Sequence, residues 1–285
     1  MKVAVLSMDT EDWYHLDYFH GMRCDKSYSL LDGISNYCEV LAEHDIKSTF
    51  FVLSEIAYAT KTLLSDIVKQ GHDISVHGWG HTRPLVMSTD EFREDLDRSR
   101  KALEDILGIS VQGYRAPCFS LDRKRLDLVR EAGFKYDSSY LPLYGKMNLS
   151  DFCEPVPGVY RLGDFCEFEI SSLSLAGKNI PVAGGGYLRI FPWVLMRSLI
   201  KAYLKKHSIY TLYIHPFELS SRTDVPLPSE VGRATRMRFS LGRKSTKRKL
   251  FKLICLLKSE GFRFKTFRDL RDEILTQGVN DASCK

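Results

Sequence analysis

The sequence predicts an α/β fold: a distorted (β/α) barrel of seven strands, one domain over residues 1–285, with an irregular insertion around 141–183. Three observations predict it. Short β-branched or aromatic runs alternate with helical periodicities, the pattern of βαβ units and parallel pairing. No glycine-rich phosphate loop follows the first strand, which argues against a nucleotide-binding sheet. Polar clusters stand just after the strand candidates, and in a parallel barrel such positions share the face where active sites are built.

The elements follow in order. Residues 3–8 form an apolar first strand, and 47–53 (KSTFFVL) a second, β-branched and aromatic. Residues 58–70 have helical spacing and stop at Gly71, a natural C-terminal cap. Asp73–Val76 is a third strand. Ser88 and Glu91 make a capping box for a long amphipathic helix that runs to Leu107 and ends at Gly108. Strands are expected at 111–114 and 134–136, with a helix at 121–132 between them. The stretch 141–183 carries Pro142, Pro155, Pro157 and Pro181, and reads as an insertion with hairpin character over one end of the barrel. Then come a helix at 191–206, a strand at Ile209–Ile214, a helix at 245–259, a strand at 262–266 and a helix at 267–275.

Composition sets the class. Hydrophobic residues make up 44% and charged residues 27%, enough for a large core and too balanced for disorder. No run of about 18 apolar residues offers a membrane span, and no leader pattern precedes the first strand. Seven cysteines are scattered without a CxxC pair and read as reduced thiols, so a cytoplasmic location is expected.

The net charge of +5 is unevenly placed. The segment 233–252 holds nine basic residues and no acid, so the rest of the chain is net acidic. Its plain reading is a solvated face. Its functional reading is a dock for anionic lipid headgroups at the inner membrane face, or for a phosphate-bearing substrate. Nucleic acid is not expected, because no binding motif accompanies the charge.

Five clusters carry the chemistry. Asp9, Glu11 and Asp12 crowd three carboxylates that repel unless a cation compensates, although acids at a helix N-terminus are common. His77 and His81 follow the third strand at a spacing that lets two imidazoles converge on one metal. Arg115 begins Arg-Ala-Pro-Cys-Phe; arginine can hold a carboxylate bidentately, and Phe119 is placed to line a pocket. Asp137, alone, reads as a helix cap. His215, at the end of its strand beside Pro216, suits a general acid.

In this order the five clusters resemble the polysaccharide deacetylase superfamily of the carbohydrate esterase family 4 type. The resemblance spans residues 3–216. Trp13 in the first cluster and Gly184-Gly185-Gly186-Tyr187-Leu188-Arg189 before the late histidine resemble a bacterial subgroup of exopolysaccharide and cell-envelope loci. The resemblance implies a divalent metal, zinc by expectation, held by His77, His81 and either Glu11 or Asp12. Thr10 stands where the commonest motif has a second aspartate, so the choice between those two acids stays open.

It further implies that Asp9 is the base, oriented by Arg115. His215 is the acid, steadied by Asp137, and a backbone amide within 116–119 meets the oxyanion. Trp13, Phe119, Tyr187 and Arg189 are the implied substrate contacts. Tyr187 would stack on a sugar and Arg189 would meet a carboxylate or phosphate, against the plain alternative of a tight loop around a core tyrosine. The implied activity is removal of N-acetyl groups from an amino sugar of a bacterial polysaccharide or its intracellular precursor. The rivals are an amidohydrolase acting on a non-sugar amide and a non-catalytic carbohydrate- or membrane-binding barrel.

Overall fold

Residues 1–145, 147–175 and 177–278 are described by the computed structural model. The strands are β1 Val3–Thr10, β2 Thr49–Val52, β3 Asp73–Val76, β4 Gly113–Tyr114, β5 Tyr136–Asp137, β6 Cys153–Val156, β7 Val159–Leu162, β8 Phe165–Phe168, β9 Ser172–Leu175, β10 Lys178–Pro181, β11 Ile209–Ile214 and β12 Arg263–Phe264. They build a ten-stranded sheet in the order β11-β1-β2-β3-β4-β5-β8-β7-β6, with β12 beside β1, and a separate β9/β10 hairpin.

Every neighbour pair from β11 to β8 is parallel, which makes seven strands, but the set differs from the expected one: β8, from the insertion, stands in the array, and the expected last strand at 262–266 is β12, beside β1 and off this path. The larger total arises because the insertion adds β7 and β6 antiparallel at one end and β12 pairs with β1. Opposite ends of the array approach each other through side chains. The Ser171 amide, beyond β8, donates to Thr211 Oγ1 at 2.9 Å, and the Thr211 amide returns a bond to Ser171 Oγ at 2.9 Å. That side-chain seam in place of a ladder is the distortion of the barrel.

All eight residues of β1 are buried, as expected of a central parallel strand covered on both faces. The helix Thr89–Leu107 has the capping box foreseen for it. Ser88 Oγ accepts from the Glu91 amide at 3.2 Å and Glu91 Oε2 from the Ser88 amide at 2.7 Å. Gly108 ends it at φ 66, a left-handed position cheap only for glycine. A helix that sequence reading did not anticipate, Asp32–Glu43, buries Ile34, Tyr37, Val40 and Leu41. A Cβ on its Gly33 would come 1.9 Å from the Pro216 carbonyl oxygen, so only glycine lets this helix lie against the loop after β11.

Two expectations are corrected. Cys24, Cys38, Cys118, Cys166 and Cys255 are free thiols, but Cys153 is disulfide-bonded, so the seven are not uniformly reduced; Cys284 lies outside the described residues. The basic segment is also not a uniform solvated face. Arg236 donates to the Val231 carbonyl at 2.9 Å, Arg243 to that of Phe217 at 2.8 Å, and Lys249 to those of Arg189 and Phe191, both at 2.8 Å. These cations satisfy backbone carbonyls inside the fold. No described helix is long and apolar enough to cross a membrane.

Candidate active site

The C-terminal ends of the parallel strands open into one cavity of about 480 Å³. Asp9 reaches it from β1, Glu11 from the turn beyond β1, His77 and His81 from the loop after β3, and His215 from the end of β11. Aromatic side chains of Phe119, Tyr187 and Tyr213 complete the wall.

One carboxylate oxygen of Glu11 and one nitrogen each of His77 and His81 lie within 4.8 Å of one another. His77 Nδ1 is 2.9 Å from the Arg115 carbonyl oxygen; a carbonyl only accepts, so Nδ1 carries the proton and Nε2 is the free donor atom. His81 adopts φ 61, a left-handed conformation unusual for histidine, which returns its ring toward Glu11. Its Nε2 comes 2.8 Å from Glu11 Oε2, yet that oxygen has no hydrogen-bond partner although it is fully buried. Burial alone would raise the Glu11 carboxyl, but His81, then His215 and His77, hold it at about 2. Burial also presses His77 down to about 4, keeping it neutral. Buried carboxylate, neutral imidazole and orphaned oxygen fit a divalent metal of borderline softness.

Asp12 is not part of this group. Its Oδ1 accepts from the Trp13 and Leu30 amides, both at 2.8 Å, where it caps the turn that follows. Of the two acids it is Glu11 whose oxygen lies within 4.8 Å of the histidine nitrogens. One residue's difference in the chain turns the side chain from the cavity to the backbone of the next loop.

Asp9 sits beside the triad. Its Oδ1 accepts from Arg115 Nη1 at 2.7 Å. Arg115 has no exposed surface and is fixed at every nitrogen: Nη1 also donates to Ser7 Oγ at 2.8 Å, Nε to the Ser138 carbonyl at 2.9 Å and Nη2 to Ser138 Oγ at 2.9 Å. Its guanidinium packs 4.0 Å from the Phe51 ring centroid. Asp9 Oδ2 faces the cavity, 4.0 Å from His215 Nε2, and Glu11 Oε1 lies 3.6 Å from the same nitrogen.

His215 is held from behind by a residue to which sequence reading gave no role. Glu218 Oε2 accepts from the His215 amide at 3.0 Å and lies 3.3 Å from Nδ1. Burial opposes the imidazolium, but Glu218, then Glu11 and Asp9, raise His215 to about 9. The signal for Glu218 was present: an acid three residues after a strand-end histidine, with proline at the first helical position, closes a capping box.

Asp137 does not steady His215. Its oxygens accept from the Ser139 amide at 2.8 Å and the Ser139 hydroxyl at 2.9 Å. Ser139 Oγ in turn accepts from the Ala116 amide at 2.8 Å, so Asp137 braces the turn after Arg115. Its neighbour in register is Glu167, which burial and Asp137 push well above the usual carboxylate range. The Asp137 side chain is spent on the Ser139 amide and hydroxyl within its own turn, while Glu218 occupies the place beside His215 Nδ1.

The substrate-contact expectations divide. Phe119 and Tyr187 line the cavity. Trp13 does not: it is fully buried, with Nε1 donating to the Tyr28 carbonyl at 2.7 Å. Arg189 is fully buried too. Its Nε lies 3.3 Å from Glu218 Oε1, and its Nη1 donates to the carbonyls of Arg238 at 2.8 Å, of Phe239 at 3.2 Å and of Leu241. It therefore meets a carboxylate of its own chain. The Gly-Gly-Gly-Tyr run is not a loop but enters the helix Gly185–Ile190, and a Cβ on Gly185 would lie 2.0 Å from Glu218 Oε2. The glycine makes room for the residue behind His215.

Comparison with known proteins gives the family likeness of the chain. Residues 25–136 match the family model described as polysaccharide deacetylase, and residues 138–272 match a domain of unknown function, DUF3473. A peptidoglycan deacetylase of Helicobacter pylori is 26% identical over 109 residues, 38% of this chain and 37% of that protein. Chitin deacetylase 1 of Cryptococcus neoformans is 27% identical over 33% of this chain and 20% of its own length. The matches thus span well under half the length of these relatives.

Among solved structures, a Mycobacterium smegmatis chain assigned as a polysaccharide deacetylase superposes with a TM-score of 0.64 at 18% identity, covering 97% of this chain and 91% of that one. A family 4 pseudoenzyme from Bacillus anthracis superposes at 0.57 with 15% identity, covering 95% and 66%. These likenesses establish the fold, and a fold that hosts a pseudoenzyme leaves activity to be argued from the site.

Proposed function

We infer that this chain, which belongs to the polysaccharide deacetylase superfamily of the carbohydrate esterase family 4 type, is a metal-dependent hydrolase that removes N-acetyl groups from an amino sugar of a bacterial polysaccharide or its intracellular precursor. One observation carries the reading. The Glu11, His77 and His81 donor atoms converge within 4.8 Å in the cavity that Asp9 and His215 also enter.

In this reading Glu11, His77 and His81 hold the metal, with zinc favoured by two nitrogens and one oxygen. A divalent cation bound there supplies Lewis acidity toward the acetyl carbonyl and makes water a nucleophile at neutral pH. Asp9 Oδ2 accepts the water proton, since Oδ1 is committed to Arg115. His215 Nε2 donates a proton to the leaving sugar amine, with Nδ1 directed at Glu218.

The developing oxyanion meets a backbone amide of the turn after Arg115. The Ala116 amide donates to Ser139, that of Phe119 to the Ala116 carbonyl, and Pro117 has none, which leaves the amide of Cys118. Phe119 and Tyr187 offer ring faces to the sugar.

The test is acetate release from N-acetylglucosamine oligomers by the zinc-loaded chain, abolished by chelation and restored by zinc. Metal bound at one per chain without acetate release from any acetylated amino sugar would overturn the reading.

We also propose a peripheral contact with an anionic membrane surface at the inner face. Its support is narrower than the whole basic segment. Lys244, Arg248 and Lys252 are exposed at a four-residue spacing along the helix Arg243–Ser259, which places them on one face beside the exposed Phe251.

A further inference from the structure

The inner wall of the cavity is accounted for by the proposed metal ligands, base and acid. The outer wall carries two arginines, Arg83 and Arg238. Arg83 is neutralised, with Nη2 2.6 Å from Asp17 Oδ2. Arg238 has no carboxylate within ion-pair distance among the described residues. It is the one uncompensated arginine of the described cavity wall.

Arg238 is also held at both ends. Its guanidinium carbon lies 5.1 Å from the Tyr18 ring centroid. Its carbonyl oxygen accepts from Arg189 Nη1 at 2.8 Å, and the same nitrogen holds the next carbonyl, that of Phe239, at 3.2 Å. Arg189 is in turn anchored on Glu218, the residue behind His215. The buried arginine thus fixes the backbone from which the exposed one extends. A long side chain seated on a ring loses less freedom on binding, and a guanidinium matches a carboxylate or phosphate with two parallel donors. The cavity floor is taken up by the proposed metal ligands, base and acid around the acetamide; Arg238 is the unpaired cation left on the described wall for a second, anionic group.

We propose that Arg238, seated on Tyr18, is a specificity-determining residue that binds an anionic group, carboxylate or phosphate, carried by the acetylated amino sugar. The proposal rests on the deacetylase reading of the site and narrows it: the preferred substrate is a charged N-acetylated sugar, with the charge at the rim while the acetamide lies at the floor.

The experiment compares three substrates on the zinc-loaded full chain: a neutral N-acetylglucosamine oligomer, N-acetylglucosamine 1-phosphate, and an N-acetylated aminouronic acid. At least one charged substrate is expected to exceed the neutral one in kcat/KM by at least about tenfold, the worth of one charge-assisted hydrogen bond. Preference for the phosphate or for the uronate names the group. Arg238→Gln is expected to erase the preference through KM, with kcat falling far less, and Arg238→Lys to restore part of it.

Equal use of neutral and charged sugars, or an unaltered preference in Arg238→Gln, would overturn the proposal and leave the deacetylase reading standing. Absence of acetate release from all three strikes that reading instead. Calorimetric binding of N-acetylglucosamine 1-phosphate to the parent and to Arg238→Gln then still decides whether the arginine holds the anion: tighter binding by the parent supports it, and equal binding ends it.

Discussion

The two parts of the chain that meet at the cavity are built differently. Up to β5, each functional side chain sits at or just past a strand end: Asp9 and Glu11 after β1, His77 and His81 after β3, Arg115 after β4. Beyond β5, His215 stands at the end of β11, while Glu218, Arg189 and Arg238 rest on short helices and are linked through ion pairs and carbonyl contacts. The first part is positioned by ladder hydrogen bonds between parallel strands, the second, His215 apart, by side chains. A rigid ladder suits a metal site, where donor atoms must be placed closely. A side-chain network suits a wall that shapes itself to a substrate and orients one proton donor.

The largest effects should fall on the first part. His77→Ala and Glu11→Gln are expected to lose the metal, read by elemental analysis as a drop from about one ion per chain toward none, with acetate release lost. Full occupancy in either variant would break the ligand assignment. Asp12→Asn should keep its metal, because that side chain caps a turn. Asp9→Asn should also keep the metal while the rate falls by about 10²–10⁴-fold, the usual worth of a general base. Metal loss in Asp9→Asn with retention in Glu11→Gln would exchange the two roles.

Substitutions in the second part should leave metal content intact. His215→Ala is expected to lower kcat by about 10²–10⁴-fold. Glu218→Gln should lower it by about 10–100-fold, as for partners that orient a functional histidine from behind. If Glu218→Gln emptied the metal site, the two parts would not be separable in the way their construction suggests.

A smaller effect concerns the seam between the parts, where Asp137 and Glu167 pair across β5 and β8. Burial and Asp137 raise Glu167 far above the carboxylate range, and burial raises Asp137. A carboxyl raised on folding binds more protons folded than unfolded, so its contribution to stability is lost as pH rises from the unfolded carboxylate range. Tm should therefore decline from mildly acidic to neutral pH, and Glu167→Gln, which keeps a donor toward Asp137 without the titration, should flatten that slope. An unchanged slope in thermal scans would show that other groups set it. The smallest effect is salt-sensitive sedimentation with anionic liposomes. It is expected to weaken when Lys244, Arg248 and Lys252 are neutralised together, at about 1 kcal/mol per cation near the surface. Binding insensitive to that triple change would return the helix face to ordinary solvation.

What could be read in advance follows the same division. The capping box at Ser88, the glycine stop at Gly108, and the strands Asp73–Val76 and Ile209–Ile214 stand where local pattern put them, because caps and β-branched runs act within a few residues. The helix Asp32–Glu43 was missed because no side chain caps its start and its burial depends on glycine's fit against Pro216. The insertion's strands were only partly legible, since β8 joins the parallel array through a partner, β5, that no local signal names.

By itself, then, the sequence determined the alternation of strand and helix, the parallel pairing of the main strands, and the presence of Asp9, Glu11, His77, His81, Arg115 and His215 at or just past strand ends. Only the tertiary structure decided direction and partnership: that Glu11 and not Asp12 joins the histidines, that Glu218 and not Asp137 stands behind His215, that Trp13 and Arg189 are interior, and that Arg238 faces the cavity. The physical reason is range. A strand end fixes where a backbone position lies, because ladder bonds are local and periodic. Where its side chain points, and what neutralises it, depends on groups brought together from distant parts of the chain, as Asp9 and His215 are, by packing that no local pattern encodes.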